Sequence, residues 1–150
     1  MIVYKIGITK WSNDVSGDGS RINGGKWNNI GIACIYTSSI RALCLLEYSV
    51  HTPLDLIPRA LSFTSFEIPE HKVFECNPAM LPGNWTDVAL SRVCMDFGRK
   101  LLKQHLVVKL PSVVLPYEPD YLLNPSHLEF TSLITIIEIL DYSYDLRIKQ

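Results

Sequence analysis

Four side chains between Ser16 and His51 have types and spacing that could do chemistry: Arg21, Lys26, Tyr36 and Glu47. The first two sit among Gly17, Gly19, Gly24 and Gly25, a run followed by Trp27 and Asn28. Glycines allow close backbone approach, and backbone N–H groups with an arginine fork suit phosphate oxygens. An indole face suits a flat ring or a cation. A phosphate-bearing ligand is one reading of this loop; a hairpin loop with solvated charges is the other. A nucleotide P-loop is excluded, because Ser20 stands where its first glycine belongs and Trp27 follows the lysine. No strand–glycine-loop–helix order fits a dinucleotide fingerprint either.

Glu47 carries a sharper signal. Thr37, Ser38 and Ser39 offer caps for a helix. At about 100° per residue, Ile40, Leu43, Cys44, Leu46, Glu47 and Val50 share one arc, with Arg41, Leu45, Tyr48 and Ser49 opposite. A carboxylate in the middle of an apolar arc needs a cationic or hydrogen-bonding partner, or it keeps its proton. His51, one turn on, is the local candidate; Arg21 and Lys26 are the distant ones. A structural ion pair and a catalytic or ligand-binding acid are both compatible with that placement.

The elements that must position these residues follow from pattern. Met1–Thr9 alternates as a strand, and Ile30–Tyr36 forms a second. The Glu47 helix is broken by Pro53 and Pro58. Strands are expected over Leu61–Ile68 and His71–Cys76, with a loop from Pro78 to Gly83. A helix capped by Thr86 or Asp87 reaches about Lys103, with Leu90, Val93, Cys94, Phe97 and Leu101 on its apolar face. His105–Leu110 is a strand. Pro111, Ser112, Pro116, Pro119 and Asn124-Pro125-Ser126-His127 then leave little room for regular structure, as in loops that line sites. Leu133–Leu140 and Tyr142–Ile148 close the chain as strands. Strands and helices mix without βαβ regularity, so the expected class is α+β in a single domain, 1–150.

Composition sets the bounds. The 150 residues are 47% hydrophobic and 19% charged, which fits one domain with a substantial core. With 14 Lys+Arg against 15 Asp+Glu and no basic run, neither direct nucleic-acid binding nor attachment to an anionic membrane is indicated. Cys34, Cys44, Cys76 and Cys94 form no C-x-x-C pair and read as buried, reduced thiols. The first residues lack a signal-peptide pattern and no apolar run reaches membrane-spanning length, so the expected compartment is the cytoplasm.

Taken in order, several motifs resemble the RES domain, named for Arg, Glu and Ser. GDGSRINGGKWN is similar to its G-x-x-A/S-R-x-x-G-G-R-W-N, IYTS to V-x-Y-T-S, and ALCLLEYSVH to A-L-x-x-L-E-x-x-V-H. LPSVVLP, YLLNPSH and YSYDLR resemble later pieces, so the likeness runs from about Lys5 to Arg147. The resemblance implies a fold similar to the ADP-ribosyltransferase core, with mixed β-sheets and flanking helices. It implies a toxin of a type II toxin–antitoxin pair that consumes NAD+ by hydrolysis or phosphorolysis, needs no metal and is neutralised by an Xre-like antitoxin. DNA would then be reached only through the antitoxin, and a homodimer within a larger assembly is compatible with this. Some members instead ADP-ribosylate a protein.

By resemblance Glu47, Arg21, Tyr36 and Ser112 match the family's functional positions. Glu47 would hold the ribose hydroxyls and stabilise positive charge, Arg21 helped by Lys26 would hold the pyrophosphate, and Tyr36 would pack on nicotinamide or ribose. Asn23 and Trp27 belong to the same motif, with stacking or core packing open for the indole. Ser112 and Asn124 would offer hydrogen bonds; His127 is either a loop-stabilising group or a site residue. Lys26 stands where the family usually has Arg, which keeps the charge and loses the bidentate fork. A catalytically inactive module that only binds an antitoxin is the alternative that this substitution suggests.

Overall fold

Runs of alternating and fully apolar residues form seven strands: β1 (Ile2–Ile8), β2 (Ile35–Ser38), β3 (Leu61–Glu67), β4 (Val73–Glu75), β5 (Val107–Pro111), β6 (Pro119–Leu123) and β7 (Thr135–Tyr142). A computed structural model describes all residues from Met1 to Gln150. The strands make one sheet in the order β4-β5-β6-β2-β1-β3-β7, antiparallel except for the β4–β5 pair. Four helices accompany it: α1 (Asp18–Asn23), α2 (Arg41–His51), α3 (Arg92–Leu102) and α4 (Phe130–Leu133). The α+β single domain expected from the sequence is the architecture found.

Side chains alternate across a strand, so the sheet carries two cores. Val3, Ile35, Phe66, Val107, Tyr121 and Leu123 build one with Phe130 of α4. Val108, Leu110 and Leu122 build the other with Trp27 and with Cys94, Leu101 and Leu102 of α3. All four cysteines are buried and unpaired.

Several elements differ from expectation, each for a local reason. The glycine run is not all loop: α1 forms inside it, bracketed by Gly17 and Gly24 at φ 68° and 71°, a region open to glycine and strained for bulkier residues. Regular strand pairing begins at Ile35 rather than Ile30, because residues just after the loop are spent on turns. The region from His71 splits into a single 3-10 turn and the short β4. Helix α3 starts at Arg92, capped by Ser91, whose hydroxyl accepts from Cys94 N–H. Thr86 and Asp87 lie in an exposed loop, and Leu90 and Val93 face solvent while Cys94 and Leu101 enter the core.

Two further corrections matter for function. The proline-punctuated stretch contains β6, a central strand. Its proline opens the strand, where a missing N–H is tolerated, and pairs with Pro111 at the end of β5. Ser112 N–H donates to Glu118 O (2.8 Å) and closes the hairpin. The terminal segment is not a strand after Tyr142. Tyr144 turns inward and donates to Ser49 Oγ (2.7 Å), and Leu146–Lys149 forms a 3-10 turn capped by Asp145.

Helix α2 is also rotated from its sequence-based arc. Leu43, Cys44 and Ser49 are buried, whereas Ile40, Leu46 and Val50 are exposed. Polar groups on the packed side find partners there: Arg41 lies over the Tyr4 ring and bonds Glu138 (2.7 Å), and Ser49 pairs with Tyr144.

Of the glycines, Gly98 has the least room for a side chain. A Cβ built there would stand 1.9 Å from the Trp27 carbonyl oxygen. Backbone on backbone has no flexible end to yield, and overpacking a core costs about 1–3 kcal/mol. Gly98→Ala is therefore expected to lower stability by at least that range, read from denaturant midpoints; a midpoint equal to the parent's would refute the close approach of α3 to Trp27.

Candidate active site

The two halves of the sheet part at its middle. Strand β1 pairs with β3 along its whole length but with β2 at one residue pair, Tyr4 opposite Ser38. Beyond that pair, Lys5–Ile8 and Cys34–Tyr36 line a cleft of about 280 Å³, walled by Asp14 and Gly17–Ser20. A split between strands exposes backbone edges and one aromatic face, which suits a flat, hydrogen-bonding ligand.

Tyr36 supplies that face, and its hydroxyl is fixed. It donates to Asn28 Oδ1 (2.7 Å) and accepts from Trp27 N–H (2.9 Å). Burial, then the neighbouring Cys34, push the phenol well above the usual tyrosine range, so it stays neutral. Asn28 is wholly buried and also donates to the Ser20 and Ile32 carbonyls (2.8 and 2.9 Å). Gly25 passes so close that a Cβ would lie 2.6 Å from the Tyr36 hydroxyl. The glycine run is thus pinned to the sheet by one amide, a role that the sequence reading did not assign.

Two residues further along the same face of β2, about 7 Å away, lies Ser38. Its hydroxyl donates to Asp120 Oδ1 (2.6 Å) across the Ser38–Asp120 register of β2 and β6. Asp120 in turn lies within hydrogen-bonding reach of Glu47. Glu47, only 18% exposed, accepts from Ser112 Oγ at Oε1 (2.5 Å) and has His51 Nε2 3.3 Å from Oε2. Ser112 is held in turn by Leu115 N–H (3.0 Å).

The two carboxyls respond oppositely to this setting. Burial raises Asp120, Ser38 offsets this in part, and the Glu47 charge adds to the rise, so the group is pushed up to about 8. Burial also raises Glu47, but hydrogen bonds from His51, Ser112 and Asp120 outweigh it and hold the carboxyl below its ordinary value. Near neutral pH the pair therefore carries one proton, on Asp120, and one charge, on Glu47. Such a carboxylate is suited to stabilising a positive charge that develops beside it.

The expected site residues fall into three groups. Glu47 and Ser112 meet directly, and Tyr36 stands on β2 two residues before Ser38, which bonds the Asp120 carboxyl. Arg21 belongs to the helix whose first turn walls the cleft; its guanidinium is paired with Asp18 (2.9 Å), both half exposed. Asn23 Nδ2 donates to Gly19 O on the same helix. The others have structural partners. Lys26 reaches the Asp87 carbonyl (2.8 Å), so of the candidate partners for Glu47 it is the local one, His51, that the structure brings to it, and neither distant cation. Trp27 is a core indole tilted against Phe97. Asn124 is buried and its amide donates to Leu102 O and His105 O, fixing the turn after β6. His127 Nδ1 accepts from Glu129 N–H (3.2 Å), the loop-stabilising role. Asp120 and Ser38 were missed. The available signal was one short polar residue in each of two strands, Ser38 after Tyr36 and Asp120 beside a proline. No group of three or more His, Cys, Asp or Glu is arranged to hold a metal ion.

The RES domain family model matches residues 2–145. The chain belongs to the RES domain family. This RES chain is 30% identical over 151 residues to "Toxin Res" of Photorhabdus laumondii, spanning 99% of this chain and 97% of the relative. It is 34% identical over 121 residues to "Prs ADP-ribosylating toxin" of a Sphingobium species, spanning 77% and 75%. Its fold is similar to that of a chain in the crystal structure of the M. tuberculosis MbcT–MbcA toxin–antitoxin complex, with TM-score 0.72, 15% identity and coverage of 95% of this chain and 84% of that one.

The protonated Asp120 makes stability depend on pH with a definite sign. Between its unfolded value, about 3.9, and its folded value of about 8, the native state holds a proton that the unfolded chain has lost. That stabilisation is complete below the lower value and is lost as pH rises through the upper one. Asp120→Asn is expected to remove the effect, so its stability relative to the parent should climb between pH 5 and 8 by up to about 1.4 kcal/mol per pH unit. Denaturant melts at several pH values read this out; parallel curves for the two proteins would contradict the assignment.

Proposed function

We propose that this RES protein is the toxin of a toxin–antitoxin pair and that it cleaves the nicotinamide–ribose bond of NAD+. The observation that carries the reading is the charged Glu47, held by Ser112 and His51 and linked through Asp120 and Ser38 to the strand whose Tyr36 lines the cleft between β1 and β2. In NAD+ the leaving group is already cationic. When the N-glycosidic bond breaks, its electron pair neutralises the nicotinamide ring nitrogen, and positive charge passes to the ribose. No acid is needed to protonate the leaving group, unlike an ordinary glycoside with its pair of working carboxyls.

Glu47 would bind ribose hydroxyls and stabilise the oxocarbenium-like ribose by charge, while Ser112 holds Glu47 in place. Tyr36, its hydroxyl already spent on Asn28 and Trp27, would act through its ring. Arg21 would exchange its exposed Asp18 partner for the pyrophosphate; a half-exposed ion pair is worth about 0–1 kcal/mol and gives way easily. Water or phosphate then attacks the ribose carbon and loses a proton to solvent. An antitoxin partner, Xre-like by family, is part of this reading, supported by the likeness to a solved toxin–antitoxin complex.

A second reading keeps the same bond cleavage but uses a protein side chain as acceptor. The relative named "Prs ADP-ribosylating toxin" favours it. NAD+ content of cells expressing the chain, beside Glu47→Gln, tests both. The expected result is rapid NAD+ loss with the parent and a loss of turnover of about 10²-fold or more in the folded variant. Steady NAD+ with a newly ADP-ribosylated protein would transfer the assignment to the second reading. Folded protein that neither depletes NAD+ nor labels a protein would refute both.

A further inference from the structure

We propose that Asp120 is a positioning residue of this site: its carboxyl keeps a proton and donates it to Glu47, holding that carboxylate charged and in place. The inference rests on the reading of Glu47 as the charge-stabilising group, and it adds a pH limit to that group's action.

The argument is geometric. Asp120 sits in β6 with Leu110 of β5 on one side and Ser38 of β2 on the other, so its backbone cannot shift without breaking the centre of the sheet. Its neighbours offer no counter-charge. From β2 comes the Ser38 hydroxyl, and from the β5–β6 turn comes Ser112, which is committed to Glu47. Helix α2 presents Cys44, Glu47 and His51; His51 lies at the exposed rim on Glu47, and the buried Cys44 thiol is pushed up to about 12 and stays neutral. The nearest cation on β1, Lys5, spends its ammonium on the Asp14 carbonyl (3.0 Å). None of the ion pairs in the structure includes Asp120. The one basic group on the pair, the exposed His51, lies on Glu47 and leaves Asp120 uncompensated, so of two adjacent carboxyls Asp120 is the one that repulsion and burial keep protonated. Glu47 has two donors independent of Asp120, the Ser112 hydroxyl and His51 Nε2, and Asp120 has one, the Ser38 hydroxyl, so the proton belongs to Asp120.

The donated hydrogen bond has a chemical consequence. While Asp120 is protonated, Glu47 is aligned by donors from three separate segments: α2, the β5–β6 turn and β6. Once Asp120 ionises, Glu47 loses one donor and gains a negative neighbour, which draws it toward protonation and displacement. Turnover should then fall on the alkaline side. An amide at position 120 would donate at every pH.

The test uses the purified full chain and the variants Asp120→Ala and Asp120→Asn, with NAD+ cleavage followed from pH 6 to 9. The parent is expected to lose activity with a midpoint near 8. Asp120→Ala should lower kcat at least tenfold, and Asp120→Asn should recover most of that loss without the alkaline limb. An Asn variant that keeps the limb, a folded Asn variant as impaired as Ala, or an Ala variant equal to the parent would overturn the proposal. Carboxyl ¹³C NMR of the free protein gives a readout separate from turnover. A resonance titrating above pH 7, absent from Asp120→Asn, is expected. Its midpoint falling below 6 would overturn the inference whatever the activity. That resonance in a parent without NAD+ turnover would refute the proposed activity and leave the carboxyl pair standing.

Discussion

One buried amide holds the working surface together. Asn28 bonds the Ser20 and Ile32 carbonyls and the Tyr36 hydroxyl, and so ties a glycine-rich segment to a strand it would otherwise leave. Buried polar groups without partners cost about 1–3 kcal/mol each, so the amide, the two carbonyls and the phenol are stable only as a set. The glycines serve this contact, since Gly25 must pass without a side chain beside the phenol. The cleft wall, the short helix bearing Arg21 and the fixed Tyr36 ring all follow from it.

The second constraint is electrostatic. Glu47 is useful as a charged group only if it is both partly dry and well solvated by the protein. Serine, histidine and a neutral acid substitute for water here, each from a different part of the chain. The sheet provides part of the precision: Ser38 and Asp120 face each other at a fixed register position of the central strands β2 and β6. Sites carried on such strands hold their geometry better than sites on loops.

Much of this was legible in the sequence. The α+β class, the strands β1 and β3, the presence of helices around Glu47 and Leu101, and the family motifs were all readable from periodicity and residue order. What failed did so for tertiary reasons. The arc through Ile40, Leu46 and Val50 promised a buried face, but Arg41 and Ser49 have partners on the sheet side and turned the helix toward them. The prolines around Ser112 promised a loop, yet Pro119 only begins a strand. Asp120 was invisible because its meaning lies in what β2 and α2 bring beside it.

The strand order has a consequence for how the protein comes into being. Strand β2 waits for β6, and β3 waits for β7, so the sheet closes by pairing segments from opposite ends of the chain. Contacts so distant in sequence make folding slow, because long loops must close before they are rewarded. On the ribosome, Tyr36 and Glu47 emerge early, but Ser112 and Asp120 come last. The carboxyl pair and its donors therefore cannot assemble until the final third of the chain is free. The interval between translation and function is written into the topology, and a binding protein made alongside would meet the chain while the centre of its sheet is still open.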